Sequence, residues 1–299
     1  MITDEPITKS GVLENNMHVN YVQQGQGTPV ILVHGLAASL HDWDDLLPLL
    51  AANGYKGYAL DLLGHGESEK PLNRSEYTVE SVFDHFSKWI DTLNIKEPMI
   101  LIGHSLGGAL ALIHSLRYPE RVNALVLVDP FYDIKQLSPA IQSAFLRRLL
   151  NTRLIDLTPY WLFRLFVDLT SFNLYIGQRE SHFLPEHIRY QTALDFTRAS
   201  SGIYNIVHTL PNLLSELTHI QQPTLLIWGK RDQTLAPASF IKLLTILPNI
   251  VASHIMPLCG HVPHQCHPEQ FNPQVMAFLK NLKSGIYTGR QNALDERSD

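Results

Sequence analysis

The chain has 299 residues, 45% hydrophobic and 17% charged, which supplies the core of one large α/β domain or two small ones and excludes a disordered chain. Its formal net charge of −5 comes without a long basic run, so the electrostatic footprint of a nucleic-acid partner is missing. Two cysteines are too few for a disulfide framework, the N-terminal residues lack a basic and an apolar targeting region, and no stretch reaches the about 18 unbroken apolar residues of a membrane span, so a reducing, cytoplasmic setting is expected.

Residues 12–23 alternate loosely around Asn15-Asn16 and predict an antiparallel hairpin. Residues 30–33 read as a buried strand ending at His34-Gly35, followed by a helix over 40–52 and a strand over 56–62 that ends around Asp61. A helix over 81–93 carries Val82, Phe86, Trp89, Ile90 and Leu93 at helical spacing. A strand over 98–102, a helix over 106–118 stopped by Pro119, and a strand over 124–128 come next. The alternation breaks at Phe131 and resumes with a strand over 223–228, a helix over 238–247, a strand over 250–256 and a last helix over 268–282. In between, residues 141–150 and 160–169 look helical and unusually apolar, and compact domains rarely leave so long a connection structureless. The predicted organisation is a core domain of residues 1–130 and 220–283, a helical lid of residues 131–219, and a polar tail of residues 284–299. Alternating strands and helices require right-handed crossovers, so the expected fold is α/β, a mostly parallel doubly wound sheet that begins with an antiparallel hairpin. Ligands of such sheets bind outside the carboxyl ends of the strands.

The run Gly103-His104-Ser105-Leu106-Gly107-Gly108 sets a serine between glycines where an apolar strand meets a helix, the G-x-S-x-G pattern of a nucleophile elbow. Gly103 and Gly107 leave the flanking backbone free of Cβ atoms, so neighbouring segments can approach the turn. A serine hydroxyl is a weak nucleophile at neutral pH and needs a base, a group that orients the base, and donors for an oxyanion. Asp232 in Gly229-Lys230-Arg231-Asp232 and His261 in Cys259-Gly260-His261 follow later strands and fall on the same rim as Ser105. Asp129, after the strand over 124–128, is either a rival acid or a turn cap before Pro130. His104 sits on the same tight turn as Ser105 and points away from it, so it is not expected to be the base. Cys259, His261, His264, Cys266 and His267 form a dense cluster, but the spacing matches no recurring zinc pattern and no metal is expected. His264 is instead expected at the pocket floor, with Cys266 and His267 entering the last helix.

In chain order, His34-Gly35-Leu36, the segment from Asp61 to Ser68, the elbow, Gly229-Lys230-Arg231-Asp232 and Gly260-His261 resemble the motif set of the α/β-hydrolase fold superfamily, in its serine-nucleophile esterase and lipase branch. The resemblance covers about residues 12–282 apart from the lid. It implies Ser105 as nucleophile, His261 as general base and then acid, Asp232 as the residue orienting His261, an oxyanion hole made by the backbone N–H groups of Leu36 and Leu106, and no cofactor. His34, Gly35, Gly103, His104 and Gly107 are the supporting residues. His34 either hydrogen-bonds the oxyanion loop or is simply buried, and Asp61, His65 and Ser68 brace the Gly64-x-Gly66 loop. Serine at the elbow argues against the dehalogenase and epoxide hydrolase branches, whose nucleophile there is an aspartate.

The expected activity is hydrolysis of a small carboxylic ester with an apolar portion. One alternative is hydrolysis of a carbon–carbon bond in a diketone-like acid, which wants cationic groups to hold a carboxylate. Another is a ligand receptor that retains the triad. Trp161, Phe163 and Phe166 of the lid either pack on the core or wall an apolar tunnel. Interleaved with Arg147, Arg148, Arg153 and Arg164, they also fit peripheral contact with a membrane surface.

Overall fold

The structure, a computed structural model, describes residues 5–14, 16–146, 153–170 and 184–287. The chain enters through a hairpin of β1 (Ile7–Val12) and β2 (His18–Gly25), in register from Ile7 opposite Gln23 to Val12 opposite His18. Then come β3 (Thr28–Val33), α1 (Leu47–Ala52), β4 (Tyr55–Leu60), α2 (Val79–Thr92), β5 (Met99–His104), α3 (Leu106–Arg117) and β6 (Val122–Val128). The next connection carries α4 (Pro139–Leu146), α5 (Arg153–Asp156), α6 (Tyr160–Thr170), α7 (Glu186–Arg198) and α8 (Ile206–Thr209). It leads to β7 (Thr224–Gly229), α9 (Ala238–Ile246), β8 (Ile250–Met256), α10 (Pro263–Cys266) and α11 (Pro268–Lys283).

The eight strands form one sheet in the order β1-β2-β4-β3-β5-β6-β7-β8. From β4 to β8 every pairing is parallel, and the hairpin joins antiparallel at one edge. This is the expected α/β fold, a mostly parallel sheet with an antiparallel start. Successive side chains of a strand face opposite sides, so Ile31 and Val33 enter a core with Phe86, Trp89 and Leu110, while Val30 and Leu32 enter a second core with Trp43, Leu50 and Phe271. Covered on both faces, β3, β5 and β7 read as continuous apolar runs rather than as alternating ones.

The structure departs most from the sequence reading in three places. The hairpin begins five residues earlier, at Ile7, while its closure falls where expected, with the Leu13 N–H donating to the Met17 carbonyl at 2.9 Å and Asn16 at φ 62°. The helix expected over 40–52 is a 3-10 turn, Leu40–Trp43, and then α1, because Pro48 has no N–H to donate and can occupy only a first turn. Helix α7 had no forecast. Its apolar residues are too few and too scattered for a periodic signal.

Between β6 and β7, α6 packs on α7 through Phe163 and Phe166, whose rings lie 5.9 and 6.1 Å from Phe196. Arg164 and Arg189 bind Asp168 and Glu186 in a four-charge network across the two helices. The second half of the helix expected over 141–150, with Arg147 and Arg148, and residues 288–299 of the expected tail lie outside the described residues. No helix of the described residues is long and apolar enough to cross a membrane.

Candidate active site

Strand β5 ends at His104 and α3 begins at Leu106, so the chain turns from strand to helix within one residue. Ser105 makes that turn with φ 50° and ψ −112°, a backbone region that side-chain-bearing residues rarely adopt. Neighbouring strand ends hold it there. The Ser105 N–H donates to the Val128 carbonyl at 2.9 Å, and the Phe131 N–H donates to the Ser105 carbonyl at 3.0 Å. A Cβ on Gly107 would run into the Val33 carbonyl, and one on Gly103 would run into the Gly107 carbonyl. These glycines let α3 sit directly against the ends of β3 and β5.

The loops after β7 and β8 bring the other two groups to the same rim. A Cβ on Gly229 would collide with the Gly260 carbonyl, and the Arg231 N–H donates to the Cys259 carbonyl at 2.9 Å, so the two loops run side by side. His261 Nδ1 lies 2.7 Å from Asp232 Oδ2, and His261 Nε2 lies 2.9 Å from Ser105 Oγ. An ionised carboxylate only accepts, so Nδ1 carries the proton and Nε2 presents its lone pair to the serine hydroxyl. Asp232 Oδ1 accepts the N–H groups of Thr234 and Leu235 at 2.7 and 3.0 Å. Burial opposes ionisation of Asp232, but His261 and these two donors outweigh it and hold the carboxyl below its ordinary pKa.

Asp129 also lies within reach of this pair, and the structure gives it a different job. Its Oδ1 accepts the Gly229 N–H at 3.0 Å, which caps the loop that carries Asp232. Complete burial, and then the charge of Asp232, push its pKa well above the carboxylate range. A neutral Asp129 is the outcome expected of two carboxyls in one dry site.

Leu106 opens α3, so its N–H has no partner within the helix and points with the positive end of the helix dipole. Leu36 follows β3. His34 Nε2 accepts the Leu62 N–H at 3.0 Å, which leaves the proton on Nδ1 to donate to the Gly35 carbonyl at 2.7 Å. A trans peptide sets its C=O and N–H in opposite directions, so fixing the Gly35 carbonyl aims the Leu36 N–H the other way. A Cβ on Gly35 would lie 2.7 Å from His104 Nδ1, so only glycine lets this loop rest on the elbow. Asp61 accepts the N–H groups of Leu40 and Glu67, both at 2.9 Å, and Ser68 Oγ donates to the Asp61 carbonyl at 2.6 Å, which ties the Gly64-x-Gly66 loop to the segment after β3.

His104 faces away from the serine hydroxyl, and its Nε2–H donates to the His261 carbonyl at 2.7 Å. Behind it, Asp42 Oδ2 lies 3.6 Å from both His104 Nδ1 and His264 Nε2, and Asp42 Oδ1 accepts from Gln265 Nε2 at 2.7 Å. Burial disfavours the charge of Asp42, but the two histidines hold its pKa down. His264 stacks on Trp43 at 5.0 Å and is 3% exposed, so it belongs to this internal network rather than to a pocket floor. Asp42 and Gln265 carry no motif, and nothing in the sequence singles them out. Trp161 turns outward, at 66% exposed, Phe166 stays 54% exposed although its ring reaches Phe196, and Phe163 is half-buried against the same ring.

The family model described as alpha/beta hydrolase fold matches residues 28–268. The chain is 29% identical over 273 residues to a 2-hydroxy-6-oxo-6-(2'-aminophenyl)hexa-2,4-dienoic acid hydrolase of Metapseudomonas resinovorans, with 88% of each chain covered. It is 29% identical over 290 residues to the 1-acylglycerol-3-phosphate O-acyltransferase ABHD5 of Homo sapiens, covering 83% of this chain and 76% of that protein. The crystal structure of a membrane phospholipase A, described as a bacterial virulence factor, superposes with a TM-score of 0.75 at 25% identity, over 93% of this chain and 87% of that one. With a family match that spans most of the sheet and the whole rim on which Ser105, Asp232 and His261 meet, this chain belongs to the alpha/beta hydrolase fold family.

Proposed function

We propose that the protein is a serine hydrolase that cleaves small carboxylic esters with an apolar portion through an acyl-enzyme intermediate. The observation that carries this reading is the continuous hydrogen-bonded line from Asp232 through His261 to Ser105 on a strained elbow. Ser105 Oγ bonds to the acyl carbon as its proton passes to His261 Nε2, and the carbonyl oxygen takes the negative charge. That oxyanion sits against the N–H groups of Leu106 and Leu36, each such donor being worth about 3 kcal/mol in the transition state. The tetrahedral intermediate collapses, His261 returns the proton to the leaving alkoxide, and a water activated by the same histidine then releases the acid. Asp232 stabilises the imidazolium at each step without taking its proton. This chemistry needs no cofactor.

The segment of residues 131–219 acts as a lid over this rim and sets substrate preference. The outward apolar residues Leu157, Trp161, Leu165 and Leu169 support peripheral contact of this lid with a lipid surface, and two free thiols fit a cytoplasmic setting. The relative from Metapseudomonas resinovorans, named for hydrolysis of a dienoic acid, favours carbon–carbon cleavage as a second reading. Against it, Arg164, Arg189 and Arg198 are each engaged by Asp168, Glu186 or Glu67, so these described arginines do not offer a clamp for a substrate carboxylate.

The deciding experiment pairs a fluorophosphonate label with p-nitrophenyl esters of increasing acyl length. The protein labels and turns over repeatedly, whereas Ser105→Ala folds, does not label and loses at least about a thousandfold in kcat/KM. Retained turnover in Ser105→Ala overturns the mechanism. One labelling event without turnover points instead to a receptor, and cleavage of a vinylogous diketone acid in preference to every ester points to the carbon–carbon reaction.

A further inference from the structure

Five cysteine and histidine residues crowd into residues 259–267, and the fold sends them to three different places. His261 turns to Ser105, His264 turns inward to Asp42 and Trp43, and Cys259, Cys266 and His267 converge on one another. The sulfurs of Cys259 and Cys266 and one ring nitrogen of His267 all lie within 4.8 Å of one another, and both thiols are free. Separate elements deliver them. Cys259 is buried in the turn after β8, where its N–H donates to the Met256 carbonyl at 3.2 Å and its carbonyl accepts from Arg231. Cys266 closes α10, with its N–H on the Val262 carbonyl at 2.8 Å, and His267 leads into α11.

We propose that Cys259, Cys266 and His267 form a binding site for a thiophilic divalent ion of the zinc class, adjoining the loop that carries His261. Two sulfurs and an imidazole are the ligand types zinc prefers, and three protein ligands leave one position for water. Tetrahedral zinc holds such ligands about 3.5 Å apart, so closing the set takes side-chain shifts on the order of 1 Å. Outer support is already built. Glu269 Oε1 lies 2.9 Å from His267 Nδ1, which draws the ring proton to that nitrogen and directs Nε2 to the metal, the carboxylate–histidine–metal arrangement. Cys266 and His267 are half-buried, so an ion can reach the site from solvent. On binding, each sulfur forms a bond to the ion and any thiol proton it still carries passes to solvent, with no change of oxidation state. The site departs from the absence of metal expected from sequence spacing, because contact between elements, not spacing, selects three ligands out of five. It stands apart from the proposed ester hydrolysis, and its test does not use activity.

Full-length protein, freed of metal with chelator and kept reduced, is titrated with Co2+ and then with Zn2+. The expected result is one Co2+ per chain with a sulfur-to-cobalt charge-transfer band, abolished by added Zn2+. Cys259→Ser and Cys266→Ser lose the band, Glu269→Gln weakens binding about ten- to a hundredfold, and His264→Ala binds as the parent does. Protection of the wild-type thiols from maleimide by Zn2+ provides a readout that no misfolded variant can confuse. The proposal fails if wild-type protein shows no charge-transfer band, or if a serine variant binds as tightly as the parent. It fails equally if denatured, unreduced protein shows no reactive thiol, which makes the pair a disulfide.

Discussion

The Nε2–H of His104 donates to the carbonyl oxygen of His261 at 2.7 Å, so the residue beside the elbow serine holds the backbone of the histidine that faces that serine. On the proposed mechanism His104 acts as a positioning residue, whose removal loosens His261 without touching substrate. His104→Ala is expected to lower kcat about ten- to a hundredfold with KM nearly unchanged, because misplacement of a base by a fraction of an ångström acts on the transition state. The same change leaves Asp42 short of a neighbour in a dry site and costs about 1–3 kcal/mol of stability. Steady-state kinetics and urea unfolding on the same preparation check both.

The two buried aspartates respond differently to the same substitution. Asp232→Asn removes the acceptor that fixes the His261 tautomer and should cost about three to four orders of magnitude in kcat. Asp129→Asn mimics the neutral acid already favoured there, and its side-chain oxygen still accepts the Gly229 N–H, so activity should stay within about tenfold of the parent. The reverse pattern in kcat would make Asp129 the working acid.

His34 acts through a peptide plane. His34→Ala frees the Gly35 carbonyl, lets the Leu36 N–H turn, and leaves the Leu62 N–H without its acceptor. The expected loss in kcat is on the order of a hundredfold, close to that of removing one oxyanion donor. Inhibition by a boronic acid, which imitates the tetrahedral intermediate, should weaken in parallel, while binding of a product carboxylic acid should change much less.

Asp195 of α7 gives stability a pH dependence of known sign. Burial first, and then the charge of Asp42, raise its pKa to about 7, and Gln191 Nε2 donates to its Oδ1 at 2.8 Å. The unfolded carboxyl titrates near about 4, so between these values the native state holds a proton that the unfolded chain has lost. Stability therefore falls as pH rises from about 4 to about 7, and the loss is complete above that. Asp195→Asn should remove this dependence, with an advantage over the parent that grows across the window towards a ceiling of about 4 kcal/mol. Urea unfolding of both proteins at pH 5 and pH 8 measures it. An equal difference at the two pH values would rule the titration out.

Strand content was legible because parallel strands buried on both faces must be uninterrupted apolar runs, as Val30 to Val33 and Leu225 to Trp228 are, whereas their order in the sheet came only from the structure. The same logic predicts which residues stand at strand ends, and so sends Ser105, Asp232 and His261 to one edge. Helix α7 and the split of the 40–52 segment were hidden. In the first the apolar signal is weak, and in the second one proline overrides a convincing periodicity.

By itself the sequence determined the alternation of strand and helix, the glycines that an elbow cannot do without, and the set of groups able to reach the rim, since these depend on local pattern and backbone sterics. Only the tertiary structure decided which nitrogen or oxygen meets which. It set Asp232 rather than Asp129 against His261, turned His104 to a carbonyl and His264 to Asp42, and gathered Cys259, Cys266 and His267. Those choices turn on contacts between loops distant in the chain, settled by how closely Gly229 and Gly260 can approach and by which buried polar groups find partners.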